Sequence, residues 1–224
     1  VKREIITTSD GSTTIHIPEW NEQYHSKHGA LQEAYHVFIE SGLFHFTNQY
    51  HKTPIKILEI GFGTGLNALI TFIEAEKNNL FIDYTGVEAY PVGKDELAQL
   101  NYSTLFESEK AETYFETLHQ TSWEKVHQLT DFFSIEKQQK FFKEIVAQEE
   151  FDLIYFDAFG ARVQPELWEE PIFQKMYDAL KPHGVLTTYS AKGSAKRAML
   201  SVGFEVEKIP GPPGKREMLR AQKA

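Results

Sequence analysis

Cysteine is absent from the 224 residues, which excludes disulfides, thiolate metal sites and a cysteine nucleophile. A reducing, cytoplasmic setting is the matching expectation. No apolar run approaches the roughly 20 residues that span a bilayer, so no membrane partner is expected. The N-terminus has no basic segment followed by an apolar core, and no signal peptide is read there. Positive charge is also scarce: 23 Lys and Arg face 32 Asp and Glu, for a net charge of −9. Taken alone, that balance argues against a nucleic-acid partner. The distribution argues differently. Residues 175–224 carry ten basic and four acidic residues, a net +6, which leaves −15 for residues 1–174. Such a quarter is either an anion-binding face or a set of solvated helix ends. Apolar residues are plentiful, with 41% hydrophobic content, 17 Phe and 10 Tyr, enough for one substantial α/β core.

The most informative stretch runs from Ile55 to Leu69. Ile55 to Ile60 reads as a buried parallel strand, three glycines follow at alternate positions, and a helical pattern starts at Leu66. Glycine permits a sharp turn and close approach to a ligand. A dinucleotide fingerprint needs its third glycine at position 66, which is Leu66. The pattern present, Glu59-x-Gly61-x-Gly63-x-Gly65, resembles the first motif of class I S-adenosylmethionine methyltransferases. That resemblance implies a cofactor held by Glu59, Gly61, Phe62, Gly63, Thr64, Gly65 and Asn67. Glu88 ends the next strand, residues 81–89, where such sheets hydrogen-bond ribose hydroxyls. Phe151 to Gly160 reads as a buried fourth strand ending at Asp157, which places a carboxylate on the ligand side. An unpaired charge there would be costly as mere structure.

The other elements are read around this unit. Residues 4–17 form a hairpin turning at Asp10-Gly11, an accessory edge. A helix from about Ala30 carries Leu31, Ala34, Tyr35 and Phe38 on one face and stops at Gly42. The glycine turn opens a helix to about Asn78. Helices are expected near 93–105 and over 138–148, with the third strand between 126 and 135 and Asp131 as a candidate adenine contact. A helix with Phe173, Met176, Tyr177 and Leu180, a strand over 184–190 and a helix over 194–203 follow. Strands at 204–209 and 216–221 form a final hairpin, the last strand antiparallel. The expected fold is a class I methyltransferase, Rossmann-like α/β domain with a seven-stranded, mostly parallel sheet over residues 51–224. A hairpin-and-helix extension occupies residues 1–50. His25 and His28 lack a third ligand, so no metal is expected.

Four motifs in order carry a closer resemblance: Glu59 to Asn67, Phe156-Asp157-Ala158-Phe159, Pro165-Glu166-Leu167-Trp168 and Gly214-Lys215-Arg216-Glu217-Met218. Together they resemble the MnmC family, the methyltransferase half of a bacterial tRNA wobble-uridine modification enzyme. Tyr24-His25-Ser26 and Gly29-Ala30-Leu31-Gln32-Glu33 stand where that family usually has Tyr-Phe-Ser and Gly-Leu-x-Glu. The resemblance spans residues 18–221. It implies transfer of methyl from S-adenosylmethionine to the amine of 5-aminomethyl-2-thiouridine in tRNA. The family's Gly-Asp after the third strand is not recognisable between Val126 and Gln138. The flavin oxidase domain of longer members has no room here, so no flavin is expected and the chain is read as the stand-alone type.

Methyl transfer to an amine requires a neutral nitrogen aligned with the methyl group, and a carboxylate stabilises the ammonium that develops. Asp157 is the choice for that role, though it could equally hold the cofactor's own ammonium. Tyr24 and Phe159 could stack on a splayed base, and Lys196, Arg197, Lys215 and Arg216 would meet phosphates. The alternatives are methylation of a small amine or a protein side chain, or a non-catalytic binding module of the same fold.

Overall fold

The computed structural model describes residues 2–224. The hairpin is present, β1 (Glu4–Thr7) pairing antiparallel with β2 (Thr13–Ile17). It is not an edge of the main sheet. A two-residue β3 (Glu22–Gln23) pairs with β2, so the three strands form a small separate sheet. Asp10 ties its turn: Oδ1 accepts from the Ser12 amide at 3.0 Å, and Oδ2 from the Gln32 amide at 3.1 Å.

The first helix does not stop at Gly42. α1 (Ala30–Ala34) continues through π-helical turns (Tyr35–Phe44) into α2 (His45–Gln49). Gly42 serves packing instead. A Cβ there would come within 3.2 Å of Thr187 Oγ1 and 3.3 Å of the Tyr155 ring, so the missing side chain lets the helix press onto the sheet.

β4 (Ile55–Ile60), α3 (Leu66–Asn78) and β5 (Ile82–Val87) follow the expected order. The next region departs from it. The helix expected over 93–105 is a single turn, α4 (Lys94–Leu97), and a 3₁₀ turn (Tyr102–Leu105). α5 (Ala111–Gln120) is a full amphipathic helix that the sequence pattern did not reveal. The third strand comes as a hairpin, β6 (Val126–Gln128) with β7 (Phe133–Gln138). The helix expected over 138–148 is therefore largely irregular, with one 3₁₀ turn at Phe142–Glu144. Phe142 and Ile145 are buried there without helical periodicity, because the chain crosses the sheet's other face rather than lying along it.

β8 (Phe151–Phe156), α6 (Glu170–Ala179), β9 (Leu180–Thr188), α7 (Gly193–Ser201), β10 (Phe204–Pro210) and β11 (Glu217–Lys223) complete the chain. The sheet order is β10-β11-β9-β8-β4-β5-β7-β6. The five central strands, β9 to β7, are parallel, and β11 enters antiparallel. The seven expected strands are present, and β6 adds a short eighth at the edge. All six β8 residues are buried, as a strand covered on both faces must be. α3 and the 30–49 helix pack on one face with Ile57, Tyr84 and Tyr155. α6 and α7 pack on the other with Leu58, Ile154 and Phe156. Successive strands leave β4 in opposite directions, toward β5 on one side and β8 on the other. The crevice beyond its C-terminal end is thus the ligand position of such a sheet.

Candidate active site

Beyond the C-terminal ends of β4, β5 and β8 lies a cleft of about 1480 Å³. The glycine turn forms its floor. Gly61 has φ +91°, and a Cβ there would lie 2.6 Å from the Asp157 carbonyl oxygen, so only glycine lets the β4 turn meet the end of β8. Gly63 has φ +51° and faces Tyr24, whose ring would lie 3.0 Å from an added Cβ.

Glu88 stands at the β5 tip. Its Oε2 accepts the Gly63 amide at 3.0 Å and its Oε1 the Tyr90 amide at 2.9 Å, which fixes the carboxylate beside the glycine turn. Asp157 stands at the β8 tip. Burial pushes its carboxyl up to about 7; the Asn67 hydrogen bond pulls it back, and Glu33 and Lys215 act in opposite directions. Asn67 Nδ2 donates to Asp157 Oδ2 at 2.9 Å and also to Glu59 Oε1 at 2.9 Å. Glu59 is completely buried and does not line the cleft. Its Oε2 accepts from the Tyr84 hydroxyl at 2.8 Å, and burial still drives its carboxyl well above the carboxylate range.

Phe62 and Thr64 line the cleft with the glycines, whereas Gly65 lies behind them against His119. His119 on α5 is hydrogen-bonded through Nε2 to the Thr64 carbonyl oxygen at 3.1 Å, which straps α5 to the turn. Burial drives this imidazole down to about 4, so at neutral pH Nε2 carries the single ring proton and donates. Lys137, at the end of β7, supports the same corner. Its ammonium donates to the Leu118 carbonyl at 2.8 Å, capping α5, and lies 5.3 Å from the Trp123 ring centroid.

Tyr24 and Phe159 meet edge to face at 4.9 Å on the far wall, and Trp20 adds an edge at 5.8 Å. The four basic candidates separate into two groups. Lys215 is inside the cleft, paired with Glu33 at 2.7 Å and lying over Tyr189. Arg197 and Arg216 are exposed and Lys196 is half-buried outside it. Asp131 is a correction: it sits in the β6–β7 turn at the start of β7, the opposite end of the sheet from the cleft. The cleft end of β7 is Gln138, and beyond it Phe141, Phe142 and Lys143 line the wall. Glu33 and Tyr189 also line the cleft, and His119 and Lys137 brace its glycine corner. Glu33 carried a signal, as part of the Gly29-to-Glu33 motif; the others reach the site only through long-range packing. Among the described residues, no cluster of three metal-ligating side chains occurs.

Comparison with known proteins agrees with this fold. A bifunctional MnmC protein of tRNA 5-methylaminomethyl-2-thiouridine biosynthesis, from Hydrogenovibrio crunogenus, is 28% identical over 89% of this chain and 31% of its own length. The protein of the same name from Burkholderia thailandensis is 29% identical over 98% of this chain and 35% of its own. The chain thus spans about a third of the length of these curated relatives. The crystal structure of MnmC2 from Aquifex aeolicus superposes with a TM-score of 0.80 at 23% identity, over 98% of this chain and 69% of that one. Spermidine synthase from Thermotoga maritima shares the fold more distantly, with a TM-score of 0.55 at 16% identity, over 100% and 72% of the two chains. Residues 112–224, half of the chain, match the family described as S-adenosyl-L-methionine-dependent methyltransferase, and the chain belongs to that family.

Proposed function

We propose that this chain methylates the amine of 5-aminomethyl-2-thiouridine at the wobble position of tRNA, in the cytoplasm. The observation that carries the reading is Asp157, a carboxyl held near neutrality at the base of an aromatic-walled cleft. The residues present fit S-adenosylmethionine. The turn at Gly61 and Gly63 leaves backbone where side chains would stand, and two carboxylates, Glu88 and Asp157, suit a hydroxyl pair and an ammonium. When bound, the cofactor supplies an electrophilic methyl group on a sulfonium. Gly61, Phe62, Gly63, Thr64 and Glu88 would hold it.

The chain's own residues then act on the amine. Tyr24, Phe159 and Trp20 offer aromatic edges and faces to a splayed base. Asp157 accepts a hydrogen bond from the amine and takes its proton, a transfer suited to a group titrating near 7. Closure of the base against the aromatic wall excludes water from the nitrogen lone pair. Lys196, Arg197 and Arg216 meet the backbone outside the cleft, and Lys215 stays within it. Residues 1–50 act as the substrate-facing extension and residues 51–224 as the catalytic domain. The relatives' names point to this nucleoside, and the cations outside the cleft agree with it.

Mass spectrometry of nucleosides tests the reading, using tRNA that carries the aminomethyl group, the protein and S-adenosylmethionine. A gain of one methyl on the wobble nucleoside is the expected result. Methylation of spermidine or of a free aminomethyl nucleoside, with tRNA untouched, would replace it with the small-amine reading.

A further inference from the structure

Glu59 is the first residue of the glycine motif, and its position is at odds with direct contact to any ligand. It is completely buried, lies behind the cleft, and has both oxygens occupied by Asn67 Nδ2 and the Tyr84 hydroxyl. Asn67, 2% exposed, divides its amide NH₂ between two carboxylates, Glu59 Oε1 and Asp157 Oδ2, each at 2.9 Å. The amide nitrogen thus faces both carboxyl groups. That orientation has a cost: Asn67 Oδ1 is buried with no hydrogen-bond partner among the described residues. A leucine would fill the same volume without an orphaned oxygen, and a neutral residue at 59 would avoid a buried carboxyl. Two unfavourable burials in one chain of contacts mark a device rather than packing.

We propose that Glu59 and Asn67 are positioning residues for Asp157. They lock its carboxylate through Oδ2 so that Oδ1 is presented to an amine bound in the cleft. Among the described residues, none donates to Oδ1, whereas Oδ2 is held. The line of contacts runs from Tyr84 on β5 through Glu59 on β4 and Asn67 on α3 to Asp157 beyond β8. It crosses the strands at which the sheet order reverses. Glu33 and Lys215 also face Asp157, from α1 and the β10–β11 loop, and Tyr189 from the end of β9. Burial chiefly sets its charge, with Glu33 and Lys215 acting in opposite directions, and Asn67 is the side chain that hydrogen-bonds it among the described residues. The shared chemistry of the ligand is an amine, which the cofactor's amino-acid part and the substrate both offer. The inference rests on Asp157 being the amine-holding group.

Calorimetry and steady-state kinetics on Glu59→Gln, Asn67→Leu, Tyr84→Phe and Asp157→Asn test it. The two calorimetric probes are S-adenosylhomocysteine, which carries an ammonium, and 5′-methylthioadenosine, which lacks the amino-acid part. If the cofactor's amine is the ligand, Glu59→Gln and Asn67→Leu weaken S-adenosylhomocysteine by about 10- to 100-fold, the range for hydrogen bonds to charged groups, and spare 5′-methylthioadenosine. If it is the substrate's, both affinities hold while KM for the amine substrate rises by a similar factor. Tyr84→Phe, the mildest change, moves the same quantity in the same direction and covers the case in which a larger change unfolds the chain. Adding Asn67→Leu to Asp157→Asn has no further effect, because the second residue acts through the first. Equal loss of both probes, or a lower melting temperature with every affinity and KM intact, would overturn the inference and leave a packing role. If Asp157→Asn itself changes neither affinity nor KM, the reading of Asp157 fails too. An effect of Asp157→Asn alone removes only the roles of Glu59 and Asn67.

Discussion

The Lys215 ammonium lies 2.7 Å from Glu33 Oε2 and 4.2 Å from the centre of the Tyr189 ring. A lysine from the C-terminal loop thus neutralises Glu33 and leaves Asp157 without an ion-pair partner at this end of the cleft. Lys215→Met should raise the pH at which Asp157 ionises, since Lys215 holds that carboxyl down and an unpaired Glu33 pushes it up. The pH profile of methyl transfer, expected to rise with a midpoint near 7 in the parent, should shift to higher pH. The pair is 35% and 11% exposed at its two side chains. Stability should fall by about 1–2 kcal/mol, less than the ~3–5 kcal/mol of a fully buried pair. An unmoved midpoint would show that Lys215 does not act on Asp157.

Asp157 also links stability to pH. Its carboxyl is raised from 3.8 to about 7 by burial, so between those values the folded chain binds a proton that the unfolded chain has released. Stability contributed by this group is therefore greatest in acid and declines as pH rises through that window. Asp157→Asn removes the decline. Its melting temperature relative to the parent should be higher at pH 8 than at pH 4.5, with the change complete by about pH 8. A difference independent of pH would mean that the carboxylate is solvated in the folded protein.

How far the sequence reached depends on the range of the contacts. β4, α3, β5 and β8 were legible because each is a local pattern: an apolar run, three glycines, a tip carboxylate. The 92–148 region was not. α5 begins with no side-chain cap, and its buried residues Ala111, Tyr114 and Leu118 are spread among exposed charges. β7 carries Lys137 at an inward position, which breaks the apolar signature of a central strand; its hydrogen bonds to the α5 carbonyls and its place over the Trp123 ring make that burial tolerable. At the site, the tip residues could be named from spacing. The Asn67 fork and the Lys215–Glu33 pair could not, because they join residues 90 and 182 positions apart.

Gly63 offers a direct test of the cofactor cradle. Gly63→Ala places a methyl 3.0 Å from the Tyr24 ring at φ +51°, so the ring must shift and the turn is strained by about 1 kcal/mol. Calorimetry should show S-adenosylmethionine binding in the parent and a loss of at least about tenfold in the folded variant, equivalent to ~1.4 kcal/mol. Equal affinities would place the cofactor elsewhere.

Glu88→Ala should weaken the same ligand by about 1.5–3 kcal/mol, the range for hydrogen bonds to a charged group. Part of the loss would come from the Gly63 amide, which Glu88 holds at 3.0 Å. Glu88→Gln separates the parts: it keeps an acceptor for that amide and removes the charge. A parent-like affinity in Glu88→Ala would exclude the β5 tip from the cofactor site.

The cations outside the cleft decide whether RNA is the substrate. At −9 overall, the chain gains nothing from long-range attraction, so binding must come from local contacts. Lys196 and Arg216 both face Glu217, whose carboxyl is held low chiefly by its hydrogen bond to Lys208, and Arg197 is exposed on the same helix as Lys196. Lys215 does not belong to this group, since Glu33 already neutralises it. Changing Lys196, Arg197 and Arg216 to Gln should weaken tRNA binding. It should also flatten the dependence of log affinity on log salt by about 0.7–0.9 for each phosphate that the variant no longer neutralises. Cofactor affinity and melting temperature should stay at parental values, because none of the three lines the cleft. Lys215→Met in parallel should leave the salt slope as it is. An unchanged slope in the triple variant would make these cations a solvated surface and move the small-amine reading ahead of the tRNA one.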